Sequence, residues 1–300
     1  MVGDRRGAGA GTGRAARPAT AGRRAPTGTR EAANAAKTAT TTSGGHPPLG
    51  PGLAGPGLAG PGLAGRGALV TGASSGIGRA ISLRLARDGA RVLATGRNEQ
   101  ALESLVKEAD SVGLTLDHFP ADLTDPDERA GLLDAAHGSL GAVSVLVHSA
   151  GAYRRGQLAQ ARITDLDLQF AVNVHAPYTL TQGLIPDLVR TNGDVVFVNS
   201  TQGLAASAGV GQYAATKHAL RAVADSLRAE MSNAGVRVCS IFPGRTATPM
   251  QERIFQAEDR AWRPDCLLWP DDLADVVAHA LALPARAQVT ELTVWPTHRP

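Results

Sequence analysis

The sequence predicts an α/β domain, a doubly wound parallel sheet of seven strands with helices on both faces, preceded by a disordered tail. Three observations carry this. From Gly67 onward, short β-type runs alternate with stretches of helical periodicity, the pattern of right-handed βαβ units. The first run ends in a glycine-rich turn that leads straight into a helical stretch, T-G-A-S-S-G-I-G over Thr71–Gly78. The first 66 residues differ in composition: 46 are Gly, Ala, Thr or Pro and none is aromatic. Such a segment buries too little apolar surface to offset the entropy of ordering it. Residues 1–66 are therefore read as the tail, and residues 67–300 as a single domain long enough for a substantial core.

The β-type runs are Ala68–Thr71, Arg91–Thr95, Thr115–Pro120, Val143–His148, Asp194–Asn199, Val236–Phe242 and Thr290–Val294. Between them the helical stretches are Ile77–Asp88, Glu99–Val112, Asp127–His137, Asp165–Arg190, Tyr213–Ser232 and Asp271–Leu283. Pro126 and Pro270 suit first helical turns, and Thr164 is placed to cap the fourth helix. The tail ends in three P-G-L-A-G repeats, Pro51–Gly65. A period of five is not collagen's period of three, and Pro-Gly pairs favour bends, so the repeats read as a spacer. They also match G-x-G-x-x-G, but none follows a strand or opens a helix.

Charge and cysteine content exclude several classes. The whole chain carries +3; the tail, with nine Lys or Arg against two acids, contributes +7, which leaves −4 on residues 67–300. That balance disfavours a nucleic-acid-binding domain. Two cysteines, Cys239 and Cys266, support neither a disulfide framework nor a four-ligand metal site, and no histidine spacing suits a metal. No apolar run is long enough to span a membrane, and the Arg-rich N-terminus lacks a secretory core. A cytoplasmic protein is expected.

In a doubly wound sheet ligands bind at the carboxyl ends of the strands. In the turn after the first strand, Gly72 allows the bend, Gly76 lets backbone approach a pyrophosphate, and Gly78 permits close helix–strand packing. The helix that follows aims its amides and positive dipole end at the phosphates.

With its T-G-x-x-x-G-x-G spacing, the chain resembles the classical branch of the short-chain dehydrogenase/reductase family, from about Gly67 to Pro296. The likeness recurs at Ala121-Asp122-Leu123, at His148-Ser149-Ala150-Gly151 where the family usually has N-N-A-G, and at Asn173. It continues at Ser200, at Tyr213-Ala-Ala-Thr-Lys217, and at Pro243-Gly244 with Thr246 and Thr248. The resemblance implies a Rossmann-type fold that binds NAD(P) through Gly72, Ser74, Ser75, Gly76, Ile77, Gly78, Asp122, Leu123, Ser149, Ala150, Gly151, Pro243, Gly244, Thr246 and Thr248. It also implies that Asn173 holds a water linking Lys217 to solvent, and that the protein is a homodimer or homotetramer. Arg221, Asp225, Arg228 and Glu230 are candidates to pair across a two-fold axis.

The residues support that reading on their own chemistry. Tyr213 and Lys217, four apart, share one helix face. An ammonium and a helix N-terminus beside the phenol are expected to lower its pKa, making Tyr213 a general acid/base. Ser200 is expected to position a substrate carbonyl. At the end of the second strand, where an acid would bind the ribose of NAD, stand Gly96 and Arg97; space and a guanidinium favour the 2′-phosphate of NADP(H).

An NADP(H)-dependent oxidoreductase acting on a carbonyl or secondary alcohol is thus expected. The alternatives are an NAD-dependent dehydrogenase of a polyol or hydroxy acid, and a non-catalytic redox sensor. The stretch Thr246–Pro270, with Met250, Ile254, Phe255, Trp262, Leu267, Leu268 and Trp269, is expected to form a lid over a partly apolar pocket for an uncharged substrate. Tyr153, Gln202 and Gln212 are expected near the carbonyl's substituents.

Overall fold

The computed structural model describes residues 62–298. Seven parallel strands form one sheet in the order β3-β2-β1-β4-β5-β6-β7. They are β1 (Gly67–Thr71), β2 (Arg91–Gly96), β3 (Leu116–Pro120), β4 (Val145–His148), β5 (Asp194–Val198), β6 (Arg237–Pro243) and β7 (Glu291–Val294). The chain winds outward from β1 to β3, then returns to pair β4 with β1, Ala68 against Val145 through Thr71 against His148. That reversal opens a crevice at the carboxyl ends of β1 and β4, where ligands bind in such sheets.

Alternation along each strand feeds two cores, one per face. Ala68, Val70, Val145, Val147, Val196 and Val198 join the core under α1 (Gly76–Arg87), α2 (Glu99–Ser111) and α8 (Pro270–Leu281). Leu69, Leu146, Val195 and Phe197 join the one under α3 (Pro126–Leu140), α5 (Ala176–Thr191) and α6 (Gly211–Met231). Both faces of the sheet are covered, which is why its central strands are buried almost throughout, while the edge strands β3 and β7 are less so.

Local chemistry sets most helix starts. Asp125 caps α3, accepting from the amides of Asp127 (2.8 Å) and Glu128 (3.2 Å), with Pro126 in the first turn; Pro270 opens α8. Thr164 does not cap: α4 (Ile163–Phe170) begins one residue earlier, after Arg162. The long stretch Asp165–Arg190 is also not one regular helix, because a π-helical segment, Ala171–His175, joins α4 to α5. A further helix, α7 (Pro249–Ala257), stands in the lid where the sequence reading has none. Thr248 caps it, its hydroxyl accepting from the Gln251 amide at 3.2 Å.

The tail predicted over residues 1–66 extends mostly outside the described residues, but Leu63, Gly65 and Arg66 make contacts with the domain. Leu63 is 3 % exposed, within the core under α1, and the Gly65 amide bonds the Gly89 carbonyl at 2.8 Å. The Arg66 guanidinium reaches the Ser144 carbonyl and Asp194 Oδ2, both at 2.7 Å, and Arg237 holds the other side of Asp194. Leu63, Gly65 and Arg66 are therefore held against the sheet domain. The apolar residue of the last repeat finds a hydrophobic site, which the repeat's composition conceals. Among the described residues, no helix is long and apolar enough to cross a membrane.

The charges on α6 expected to meet a second copy are engaged within the chain. Arg221 forms a two-pronged bond with Glu291 (3.0 and 3.1 Å), Arg228 pairs with Asp225 at 2.6 Å, and Ser226 donates to Glu230 at 2.8 Å.

Candidate active site

The crevice brings together residues from six strand ends. After β5, the Ser200 hydroxyl accepts from the Gln202 amide at 3.2 Å and opens a short 3₁₀ turn, Thr201–Gly203. The same side chain acts on the Tyr213 phenol, in the first turn of α6, and both residues line the cleft. One turn on, the Lys217 ammonium donates to the Val198 carbonyl at 3.1 Å and lies 5.8 Å from the centre of the Tyr213 ring. Tyr153, from the loop after β4, meets Tyr213 edge-on at 5.0 Å between ring centres.

Burial dominates the electrostatics of the pair. It pushes the Tyr213 phenol up to about 12, with the Ser200 hydroxyl pulling the other way and Tyr153 adding to the rise. It pushes the Lys217 ammonium down to about 8. The expected lowering of the phenol is thus corrected. The ammonium points at a backbone carbonyl rather than at the phenol oxygen, so desolvation, which disfavours the charged form of either group, is unopposed by a close countercharge. Tyr213 is a neutral phenol at physiological pH.

Asn173 sits inside the π-helical segment, fully buried. Its carbonyl oxygen accepts from the Ala152 amide at 2.7 Å, and its amide donates to the Ala152 carbonyl and the Thr216 hydroxyl, both at 2.9 Å. Both amide protons are used, and the side chain clamps the loop after β4 to α6.

The glycine loop has the shape a dinucleotide needs. Gly72 and Gly76 take positive φ, +69° and +55°, which favours glycine. A Cβ at Gly78 would lie 2.4 Å from the Gly72 carbonyl oxygen, and one at Gly76 would lie 2.9 Å from the Thr248 methyl, filling the gap between α1 and the lid. Ser75, the N-cap of α1, makes no side-chain cap bond, and no acid stands in the first turn; the amides that follow it, Ile77 and Gly78 included, face the crevice end with their positive dipole. Gly96 leaves its neighbour room: a Cβ there would be 2.8 Å from Ser74 Oγ. Arg97 is exposed. Burial pushes the Asp122 carboxyl up, but bonds from the Thr124 amide and hydroxyl, with the Arg97 charge, bring it below its usual value. Leu123 is buried beside it. The amides of Ser149 and Ala150 donate to the Thr71 hydroxyl at 3.1 and 3.2 Å, tying the β4 turn, Gly151 included, to β1. After β6, Pro243 and Gly244 lead to Thr246, whose hydroxyl donates to the Gly244 carbonyl at 3.1 Å. These features fit an NAD(P) molecule: glycines where a side chain would block it, uncapped amides for its phosphates and an exposed Arg97 at the end of β2.

Residues 66–259 match the short chain dehydrogenase family model. The chain belongs to that family. Among relatives of this short chain dehydrogenase, an uncharacterized oxidoreductase of Staphylococcus epidermidis is 31% identical over 230 residues, covering 76% of this chain and 96% of that one. Among solved structures, an alcohol dehydrogenase of Thermococcus sibiricus complexed with 5-hydroxy-NADP superposes with a TM-score of 0.71 at 26% identity, over 78% of this chain and 98% of that one. A short chain dehydrogenase of Burkholderia cenocepacia in complex with NADP gives 0.70 at 30%, over 78% and 98%. The enzyme is an oxidoreductase.

The substrate side departs from the sequence reading. A cleft of about 250 Å³ runs from Ser200 and Tyr213 to the lid, with Tyr153, Gln202, Met250 and Ile254 on its walls. Gln212 is not there; it bonds the Arg162 carbonyl at 2.9 Å. Phe255, Leu267 and Leu268 are buried, Trp262 packs edge-on against Phe255, and Trp269 is exposed. The lid's apolar residues mostly hold the lid together. Three charged residues that sequence reasoning missed, Arg155, Arg245 and Glu258, also line the cleft. The signal for Arg245 was its place in P-G-R-T, directly after a strand; nothing local marks the other two. Among the described residues, no cluster of His, Cys, Asp and Glu is set to hold a metal.

Proposed function

We propose that this dehydrogenase is an NADP(H)-dependent carbonyl reductase in which Tyr213 is the proton donor. The observation that carries the reading is that Ser200 and Tyr213 line the same cleft, with the phenol held neutral by burial. When bound, NADP(H) supplies a hydride to a carbonyl carbon, or accepts one from the alcohol in reverse. The glycine loop and the α1 amides would hold its phosphates, Asp122 its adenine side, and Thr246 and Thr248 its nicotinamide side. Gly96 and Arg97 would accept a 2′-phosphate where an acid would repel it, which is the basis for NADP over NAD.

Ser200 and Tyr213 together hold the substrate oxygen by two hydrogen bonds. As negative charge develops on that oxygen, Tyr213 gives up its proton to it, and the product leaves as an alcohol. A donor that is neutral at the working pH suits reduction. The transient phenolate is stabilised by the Ser200 hydroxyl and by Lys217, whose pKa of about 8 leaves it charged at neutral pH. Asn173 keeps the Tyr153 loop and α6 in register, so that the two tyrosines stay packed.

The test is NADPH oxidation by the full chain across a broad panel of ketones and aldehydes, with nucleotide binding measured in parallel. Turnover of at least one class supports the reading. Tight NADPH binding with no turnover of anything supports a redox sensor instead.

A further inference from the structure

We propose that the substrate carries a carboxylate in addition to its carbonyl, and that Arg245, assisted by Arg155, receives that carboxylate at the lid end of the cleft. This rests on the reductase reading and names its substrate class, an oxo acid.

Three guanidinium groups share one carboxylate there. Glu258 pairs with Arg245 at 2.9 Å, with Arg155 at 2.8 Å and with Arg260 at 3.5 Å. Among the described residues it is the sole carboxylate within ion-pair distance of any of the three, so the cluster has a surplus of two positive charges. Glu258 does not satisfy Arg245. Both of its oxygens sit on Nη2, at 2.9 Å each, while Nη1 is buried with no acceptor. The Gln251 side-chain amide, on the wall of the same cleft, is a second buried donor without a partner. Buried donors are nearly always paired, and two of them beside surplus positive charge call for an anionic acceptor.

The position favours the substrate as the source. Arg155 and Arg245 both act electrostatically on Tyr153, the ring packed against Tyr213. Arg155 comes from the loop after β4 and Arg245 from the end of β6, so the two reach the same carboxylate from opposite walls. Glu258 itself demonstrates that a carboxylate fits between these guanidinium groups. A planar fork that binds carboxylate in two-pronged fashion, and not a lysine, is what stands there. A neutral substrate would leave the Arg245 donor orphaned.

Matched pairs decide it: 3-, 4- and 5-oxo acids and their methyl esters, reduced with NADPH by the full chain. The acid should be preferred in kcat/KM by about tenfold or more, through KM, the usual size of a charge-assisted contact. In Arg245→Gln the acid's KM should rise by about 10- to 100-fold and the acid-to-ester preference should collapse toward one. Arg155→Gln, an exposed position, should move the preference the same way by less, and serves if the first variant folds poorly. Equal use of acid and ester by the wild type, or a preference that neither variant changes, overturns the proposal. So does a rise in the KM for NADPH with every substrate, which would assign Arg245 to the nucleotide phosphates. If neither acid nor ester is reduced, the reductase reading is what fails. Titration of the NADP-loaded protein with the corresponding saturated acid and its amide then judges the anion site separately. Binding of the acid alone, lost in Arg245→Gln, supports it; no binding overturns it.

Discussion

The glycine loop after β1 and the lid after β6 flank the same crevice, yet they hold their shapes by different means. At the loop, backbone touches backbone. Gly72 and Gly76 sit at positive φ, and Gly78 packs so closely on the Gly72 carbonyl that no Cβ fits. At the lid, side chains do the holding: Phe255 lies under Trp262, Arg245 and Arg260, and Glu258 gathers three arginines. A backbone constraint leaves few residue types acceptable at each position. A network of long side chains can be built from many sequences, and its members lie far apart in the chain. The half of the site that binds what all such enzymes share is therefore narrowly written, and the half that selects the substrate is not.

That contrast is broken most directly by enlarging one side chain in each half. Gly78→Ala places a Cβ 2.4 Å from backbone oxygen, so α1 must shift. The expected outcome is loss of measurable NADPH binding by fluorescence titration and a stability loss of about 1–3 kcal/mol. Ala257→Val, at the end of α7, should leave NADPH affinity within about twofold, since lid residues reposition around it. Equal effects would erase the distinction.

Arg97 is the side-chain exception within the backbone half, and Arg97→Ala sharpens the comparison. Affinity for NADPH should fall about 10- to 150-fold, the equivalent of a charge-assisted contact of about 1.5–3 kcal/mol, while affinity for NADH barely changes. Equal loss for both would remove Arg97 from the site.

A smaller effect concerns His148, at the end of β4. Its ring is buried, meets the Thr181 hydroxyl at 2.8 Å and stacks on Phe197. Burial pushes its pKa down to about 3 from 6.5. As pH falls through 6.5 the unfolded chain takes up a proton that the folded protein refuses, so stability present above pH 6.5 is lost progressively toward pH 3. At about 1.4 kcal/mol per unit, that is about 2 kcal/mol at pH 5. Urea midpoints at pH 7 and pH 5 should diverge by that much more in the wild type than in His148→Asn; identical slopes would show that the ring is protonated in the fold.

Legibility in the sequence follows the same physics. All seven strands lie within two residues of the runs read from the sequence, because the central strands are apolar and buried on both faces and the runs are punctuated by glycine and helix caps. The lid helix α7 was missed although Thr248-Pro249 is a start signal, since nine residues carry little periodicity. Leu63 was assigned to the tail because a P-G-L-A-G repeat looks alike whether or not its leucine finds a hydrophobic site. Bringing Ser200, Tyr213 and Lys217 together was legible from spacing. The direction of the Tyr213 shift was not, because desolvation depends on the depth of the cleft and on where Lys217 points. Arg155 and Glu258, about a hundred residues apart in the chain, meet through tertiary structure alone.

The central claim is that Tyr213, a neutral phenol, gives the proton in carbonyl reduction. It is tested by kcat/KM for NADPH-dependent reduction against pH, in the wild type and in Tyr213→Phe with NADPH affinity measured alongside. The account predicts a wild-type rate that is flat through neutrality and falls as pH rises past about 8, where Lys217 loses its charge. It predicts a Tyr213→Phe variant slower by about 10²- to 10⁴-fold that still binds NADPH. A Tyr213→Phe enzyme that binds NADPH and keeps more than about a tenth of the wild-type rate across that range would contradict it.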